Sequence, residues 1–302
     1  MALAGMVVSG RPARRVVLIA GPTASGKSAL ALEIARADGG IVVNADAMQV
    51  YGVLDRLTAR PRPEETGEVP HLLYGHISPA IRHSTGAWLR EAIAILEDPA
   101  LSGRTLVFVG GTGLYFEALT KGIAEIPDVP EPIRAAIEAE LAGLDREGRE
   151  ALLLARDPLM AGRIEAADPQ RVARALGVLA ATGHSLTRFQ DAPQAGPLAE
   201  GALERIVLDP DRDVLRARIA NRFEAMLDAG AIEEVRALLA LDLDPRLPAM
   251  KAIGVPELAA VLAGTMTLAE ATERAIIATR QFAKRQRTWF RNRMGDWPRR
   301  PA

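Results

Sequence analysis

The sequence predicts an α/β protein in which a parallel sheet flanked by helices is interrupted by an inserted all-helical domain. Apolar, β-branched runs stand at 16–20, 41–43 and 106–109, the first and third leading directly into helical patterns and the second into a long loop before one, as expected of a sheet covered on both faces. From Lys121 to about Gly201 such runs vanish and helical periodicity takes over. A fourth run at Glu204–Asp209 then returns the chain to the sheet. Residues 1–120 and 201–302 are therefore assigned to the core, and 121–200 to the insertion.

Length and composition agree. At 302 residues the chain exceeds the usual single-core size, which favours a large α/β domain carrying an insertion. Hydrophobic residues make up 49% and charged residues 25%, an ordinary balance for a globular protein. The net charge of −1 gives no global attraction for a polyanion, so nucleic acid would have to meet a local patch. Zero cysteines exclude disulfides, thiolate metal sites and cysteine nucleophiles. The short apolar pieces before Arg11, Arg14 and Arg15 reverse the order of a signal peptide, and no apolar run reaches spanning length, so a cytoplasmic protein is expected.

The first strand, Val16–Ala20, feeds Gly21-Pro22-Thr23-Ala24-Ser25-Gly26-Lys27-Ser28, which fits the phosphate-loop pattern G-x-x-x-x-G-K-[ST]. Gly21 and Gly26 permit the tight path, successive N–H groups turn toward an anion, Lys27 adds a point charge, and Ser28 is a candidate Mg²⁺ ligand. The strand before it and the helix former Ala29–Ala35 behind it supply the required setting, so the core is P-loop NTPase-like.

Gly39-Gly40 ends that helix, and the second strand carries Asp46 at its carboxyl end, the end that faces ligand in open parallel sheets. Asp46 is a candidate for chemistry or for Mg²⁺. Residues 48–65 read as a long irregular loop, since Arg60-Pro61-Arg62-Pro63 is incompatible with a helix interior. His71, His76 and His83 follow with spacings that match no zinc signature and no further ligand type to complete one, so a polar loop with a strand through it is expected. Ser84 or Thr85 caps a helix running to Leu96. The third strand ends in Gly110-Gly111-Thr112-Gly113, where a typical P-loop ATPase has an aspartate. The glycines are expected to let backbone approach a bound group, with Thr112 supplying a hydroxyl beside it.

In the insertion, Asp157-Pro158 and Asp168-Pro169 read as helix starts, and Arg163, Gln170, Arg171 and Arg174 give a basic face. Pro193–Glu200 reads as the linker out. Arg212–Leu241 reads as helix, with Arg218 and Arg222 on one face, placed so that one reaches back to the phosphate site. From Thr279 the chain turns basic. Arg280, Lys284, Arg287 and Arg291 share a helical face, while Phe282 and Trp289 form an apolar seam on another, which suits a helix that packs inward and shows cations to a polyanion.

Gly-Pro-Thr-Ala-Ser-Gly-Lys-Ser at 21–28, Asn44-Ala45-Asp46 with Gln49-Val50-Tyr51, Gly-Gly-Thr-Gly-Leu-Tyr at 110–115, Asp168-Pro169-Gln170-Arg171 with Arg174, and Thr279-Arg280-Gln281 through Thr288-Trp289-Phe290-Arg291 together resemble the tRNA dimethylallyltransferases. The resemblance covers nearly the whole chain. It implies transfer of a dimethylallyl group from dimethylallyl diphosphate to N6 of the adenosine next to the anticodon of tRNA. It implies Asp46 as general base and Thr112 beside the reacting amine, with Lys27, Ser28 and Arg222 holding diphosphate and Mg²⁺. It further implies that Gln49 reads the adenine, with Ala47 and Met48 beside it, that Gln170, Arg171, Val172, Ala173 and Arg174 touch tRNA with Arg134 nearby, and that Lys284 and Arg287 join them. The expected partners are thus the anticodon stem-loop and dimethylallyl diphosphate, with no membrane and no second subunit. The chain departs from the family pattern at Ala47, usually Ser, at Asp55–Pro61, and at Gly254-Val255, usually Gly-Tyr.

Small-molecule kinases share a phosphate loop, an acid after the second strand and a helical lid, but not the glycine turn at 110–113 or the basic aromatic C-terminus. Prenylation of free adenylate would need neither the insertion nor the basic tail. A tRNA-binding module without catalysis would leave the phosphate loop idle.

Overall fold

The computed structural model describes residues 15–192, 195–198 and 203–301. Every residue of β1 (Val16–Ala20) is buried, and the strand leads through the phosphate loop into α1 (Lys27–Ala37). There follow β2 (Ile41–Asn44), α2 (Pro63–Thr66), β3 (His71–Leu72), α3 (Thr85–Glu97), β4 (Leu106–Gly110) and α4 (Gly113–Lys121). Helices α5 (Glu131–Leu141), α6 (Arg146–Arg156), α7 (Pro158–Ala161), α8 (Pro169–Thr182) and α9 (Leu186–Gln190) come next. The chain returns through β5 (Leu203–Leu208) to α10 (Arg212–Asp228), α11 (Ala231–Leu239), α12 (Val255–Leu262), α13 (Leu268–Arg293) and β6 (Arg299–Arg300).

Contacts divide the chain into two units, Lys121–Gly196 and the remainder. In the larger unit all pairings are parallel in the order β3-β2-β4-β1-β5-β6. The central strands are apolar throughout because both faces are covered. One face packs on Trp88, Tyr115, Phe116, Phe290 and Trp297, the other on Ala31 and Ala35 of α1. Trp88 stacks on Tyr115 with centroids 4.1 Å apart and donates its indole N–H to Asn44 O at 2.8 Å, so α3 and α4 are locked over the end of β2. A separate helical cluster joins Val50, Tyr51 and Leu54 to Phe223, Val235 and Leu258.

The smaller unit has its own core of Val129, Ile137, Leu153, Val172 and Leu176. Both Asp-Pro starts are caps. Asp157 Oδ1 accepts from Met160 N at 3.1 Å, and Asp168 Oδ1 from Gln170 N and Arg171 N at 3.0 and 3.2 Å, each cap being worth about 1 kcal/mol.

Three local expectations change. The helix expected over 212–241 breaks at Gly230, whose φ of +94° suits glycine, and restarts as α11. A short helix begins at Pro63, where proline sits at N1 and has no N–H to lose. The edge strand β6 was not anticipated, since two exposed arginines between prolines carry no strand pattern; Val207 N and Asp209 N donate to Pro298 O and Arg300 O at 2.9 Å each. The segment with Arg11 and Arg14, and part of the linker over 193–200, lie outside the described residues. Among the described residues no helix is long and apolar enough to cross a membrane.

Candidate active site

The phosphate loop is wound by Ala24 and Gly26, both at positive φ (62° and 85°), which turns successive amides to one side. Gly21 is sterically required, because a Cβ there would lie 2.8 Å from Ser25 Oγ. That hydroxyl is itself buried without a partner. Among the described residues Lys27 Nζ donates only to Pro22 O, at 3.3 Å, and Arg222 Nη2 donates across from α10 to Thr23 Oγ1 at 3.0 Å. Lys27, Arg218 and Arg222 have no ion-pair partner among the described residues. Burial, with the Arg222 charge acting the same way and Asp46 opposing, lowers the Lys27 pKa to about 8, and burial also lowers that of Arg222. With Ser28 and Arg300 these groups line a pocket of about 620 Å³ into which no carboxylate projects. Half-buried Lys27 and Arg222 without an ion pair, beside exposed Arg218 and an Arg300 that reaches Glu204 at 3.7 Å, make this a cationic pocket suited to an anion.

Arg222 also lines a second, more apolar cavity of about 580 Å³, walled by Leu57, Leu114, Phe223, Met226, Ile253, Phe282 and Trp289. Asp46, Ala47, Met48 and Thr112 line it too. Buried Asn44 shapes the turn that presents Asp46: its Oδ1 accepts Asp46 N at 2.8 Å, and its Nδ2 donates to Asp46 O and Leu73 O at 3.0 Å each. Asp46 Oδ1 accepts from Met48 N at 3.0 Å, while Oδ2 has no hydrogen bond among the described residues. Thr112 Oγ1 accepts from Ala47 N at 2.9 Å, which leaves its proton free to donate. The contact uses the Ala47 backbone, so alanine in place of serine costs nothing there.

The glycine turn serves the protein's own packing as much as any bound group. A Cβ at Gly110 would lie 1.9 Å from Ala45 O, at Gly111 2.2 Å from Gln286 Nε2, and at Gly113 2.1 Å from Trp289 Cδ1. Helix α13 therefore docks directly on the turn through Gln286 and Trp289, with Phe290 buried in the sheet-face core and Ala283 against Leu215 and Ile219 of α10, while Phe282 and one side of Trp289 line the cavity. Gln286 is buried, accepts from Thr23 N at 2.8 Å and donates to Gly111 O at 2.9 Å, so it joins the phosphate loop to the turn. The sequence reading missed Gln286 as a site residue, although it is the polar member of a stripe otherwise made of Ala271, Ala275, Ala283 and Phe290. Glu234 was also missed. Buried beside Ala231, Val235 and Leu238, it accepts the backbone N–H groups of Asp55, Arg56 and Leu57 at 3.0, 2.7 and 3.0 Å. It thereby fixes the loop over 55–61. Gly254, with φ +97°, packs on the same loop, since a Cβ would lie 2.7 Å from Leu57 Cδ2.

Of the expected nucleic-acid contacts the side chain of Val172 needs correction, and several others already have partners within the protein. Gln49 does not line the cavity; its Nε2 donates to Thr58 O and Ala59 O at 2.8 and 3.1 Å, leaving only Oε1 for a base. Val172 is wholly buried in the core of the smaller unit and faces no partner. Arg287 pairs with Asp209 at 2.9 Å, and Arg163 holds Asp191 through two bonds of 2.6 and 2.8 Å, so neither charge is free. Arg134 bonds Glu131 and Val129 O. Gln170, Arg171 and Arg174 remain exposed on α8, with Ala173 half-buried between them, and Arg171 reaches Asp168 at 3.1 Å. Arg280, Lys284, Arg285 and Arg291 are exposed on α13, and Arg285, not singled out from sequence, borders the cavity.

The IPP transferase family model matches residues 49–293, and the isopentenyl transferase model residues 14–72. The chain is 53% identical over 286 residues to the tRNA dimethylallyltransferase of Chelativorans sp. (strain BNC1), covering 94% of this chain and 98% of that protein. It is 52% identical over 287 residues to the enzyme of the same description from Rhizobium meliloti (strain 1021), covering 94% of each. Among solved structures it is similar to the full-length tRNA isopentenylpyrophosphate transferase of Bacillus halodurans, with TM-score 0.67, 31% identity, and 95% and 90% of the two chains covered. A eukaryotic dimethylallyltransferase solved acting on tRNA matches with TM-score 0.75 and 26% identity over 92% of this chain and 70% of that one.

Proposed function

The chain belongs to the IPP transferase family, and on that footing we propose that it transfers a dimethylallyl group from dimethylallyl diphosphate to N6 of the adenosine next to the anticodon of a tRNA. One observation carries the reading: a cationic pocket lined by no carboxylate and an apolar cavity holding a carboxylate meet at Arg222, which lines both. A diphosphate suits the first, and a prenyl chain with a stacked base suits the second.

An adenine amine is a poor nucleophile because its lone pair is delocalised, so the reaction depends on the leaving group and on removal of a proton. Lys27, Arg222 and the loop amides hold the diphosphate and stabilise the charge it gains as the C1–O bond breaks. N6 forms the new bond to C1, becomes cationic and hence acidic, and loses its proton to Asp46 Oδ2. Thr112, anchored by the Ala47 amide, orients the amine. The apolar walls exclude water that would otherwise take the allylic carbon.

Mg²⁺ fits this site. Ser28 stands exposed at the start of α1, and no carboxylate lines its pocket, the donor set of an ion held chiefly by phosphate oxygens and water. When bound, the ion would neutralise diphosphate and improve it as a leaving group.

Gln170, Arg171 and Arg174 on α8, and Arg280, Lys284 and Arg291 on α13, supply phosphate contacts to tRNA. A tRNA substrate and a cysteine-free composition support a cytoplasmic location. The test is to incubate the protein with dimethylallyl diphosphate, Mg²⁺ and bulk unmodified tRNA, and to digest and analyse nucleosides by mass spectrometry. Prenylated adenosine at the base next to the anticodon is expected. Prenylation of free adenylate alone, or phosphoryl transfer from ATP, would overturn the reading.

A further inference from the structure

The histidines at 76 and 83, which by sequence spacing lack a completing ligand, acquire one in space. On α3, the two carboxylate oxygens of Glu91 lie 3.1 Å from His76 Nε2 and 3.3 Å from His83 Nε2. The three ligand atoms all lie within 4.8 Å of one another. The rings are 6.0 Å apart and nearly perpendicular, at 82°, so their nitrogens converge and do not stack. With metal–nitrogen and metal–oxygen bonds of about 2.0–2.2 Å, adjacent ligands of a tetrahedral ion stand about 3.3–3.5 Å apart; the two nitrogen–carboxylate distances already match this, and a small rotation of the rings would close the set around an ion.

We infer that His76, His83 and Glu91 form a binding site for a divalent transition-metal ion of the zinc type, with three protein ligands and the fourth position open to water. Two imidazoles and one carboxylate select zinc-like ions over Mg²⁺ or Ca²⁺, which take oxygen sets. The His83 side chain is almost fully buried, its Nδ1 has no partner, and its polar contacts run through Nε2 toward the shared carboxylate. A single carboxylate, with Arg90 close by, makes this a weaker site than a closed structural zinc centre.

The site has a clear mechanical consequence. Gly75 N and Ile77 N donate to Gln49 O and Val50 O at 2.9 Å each, Gly52 N returns a bond to Ile77 O, and His83 N reaches Tyr51 Oη at 3.4 Å. A bound ion would tie α3 to the segment that backs Gln49, with no part in the transfer step.

The test strips the full-length protein with a chelator, then titrates zinc(II) in competition with a chromophoric chelator and cobalt(II) for its visible absorption. Uptake of one equivalent at this site is expected, with affinity at least tenfold lower in His76→Ala and in Glu91→Gln, and loss of the four-coordinate cobalt bands in both. His76 is exposed, so its truncation leaves folding intact, and circular dichroism checks this. Lys27→Ala, which disables the phosphate pocket, should leave zinc uptake unchanged, so failure of the transferase reading and failure of this one are separable. No uptake by the wild-type protein, or equal uptake by wild type and both variants, overturns the site.

Discussion

Gln286 accepts a hydrogen bond from the Thr23 amide of the phosphate loop, and the same side chain donates to Gly111 of the glycine turn. One buried side-chain amide thus sets the separation between the phosphate loop and the turn that carries Thr112. Gln286→Ala should leave a buried carbonyl unpaired, costing about 1–3 kcal/mol, and a part-buried N–H unpaired at smaller cost, and should lower both the melting temperature and kcat. Gln286→Glu keeps the acceptor for Thr23 but faces Gly111 O with an oxygen, so it should not rescue. Unchanged kcat/KM in a folded Gln286→Ala protein would show that the bridge does not position the site.

Glu234 organises residues 55–57 in the same way, and Leu57 carries that order to the cavity wall. Glu234→Ala should remove the acceptor of three amides and destabilise the protein by several kcal/mol, on the order of 1–3 per orphaned group. Amide exchange at Asp55, Arg56 and Leu57 should accelerate ahead of the rest of the chain. Uniform exchange across the molecule would contradict this local role.

These two residues mark the limit of what was legible in the sequence. The phosphate loop, Asp46 and the glycine turn are local motifs whose spacing dictates their geometry, so strand–loop–helix reasoning reached them. Gln286 and Glu234 act on backbone groups more than 170 residues away in sequence, and spacing holds no record of such partners. Their one local trace is a polar side chain on an otherwise apolar helical face. Val172 shows the converse error: it lies within a run of candidate RNA contacts, but helical periodicity turns it into the core between exposed Arg171 and Arg174. Likewise the charge of Arg287 was legible, and its pairing with Asp209 was not.

Lys27 should make diphosphate binding pH-dependent. Its pKa of about 8 in the free protein lies below the ordinary lysine value of 10.5, whereas an anion at the loop favours the charged form. Binding above pH 8 therefore takes up a proton, and affinity falls as pH rises through that value. The linkage to folding has the opposite sense: between about 8 and 10.5 the unfolded chain holds more protons, so this group's contribution to stability rises with pH. Calorimetric titration with a thio analogue of dimethylallyl diphosphate in buffers of differing ionisation enthalpy should show proton uptake at pH 9 that falls away at pH 6.5, where Lys27 is already protonated. Equal heats in all buffers would refute the assignment.

Charge reversal at Arg171 and Arg174 should weaken tRNA binding and flatten its salt dependence by about one unit of log–log slope per lost phosphate contact. Arg287→Ala should change that slope little, since its charge is already met by Asp209. Binding measured at several salt concentrations separates the two. An unchanged slope in the α8 variant would return its arginines to ordinary solvated charge.

Asp46 decides between transfer to an amine and transfer of phosphate. In a kinase its carboxylate would hold Mg²⁺ with the nucleotide, so Asp46→Asn would weaken metal–nucleotide binding. Here Asp46 lines the apolar cavity, not the pocket of Ser28 and Lys27, and its Oδ2 is unengaged while Oδ1 is fixed by the Met48 amide. Asparagine preserves that fixed acceptor and the shape of the turn but cannot take a proton from an amine that has become cationic. Asp46→Asn should therefore bind dimethylallyl diphosphate and tRNA normally and lose a factor on the order of 10² to 10⁴ in the single-turnover rate. Both binding constants and the rate would be measured on one preparation. Normal affinities with a collapsed rate identify the base; lost diphosphate affinity with a normal rate at saturation would instead assign Asp46 to the metal.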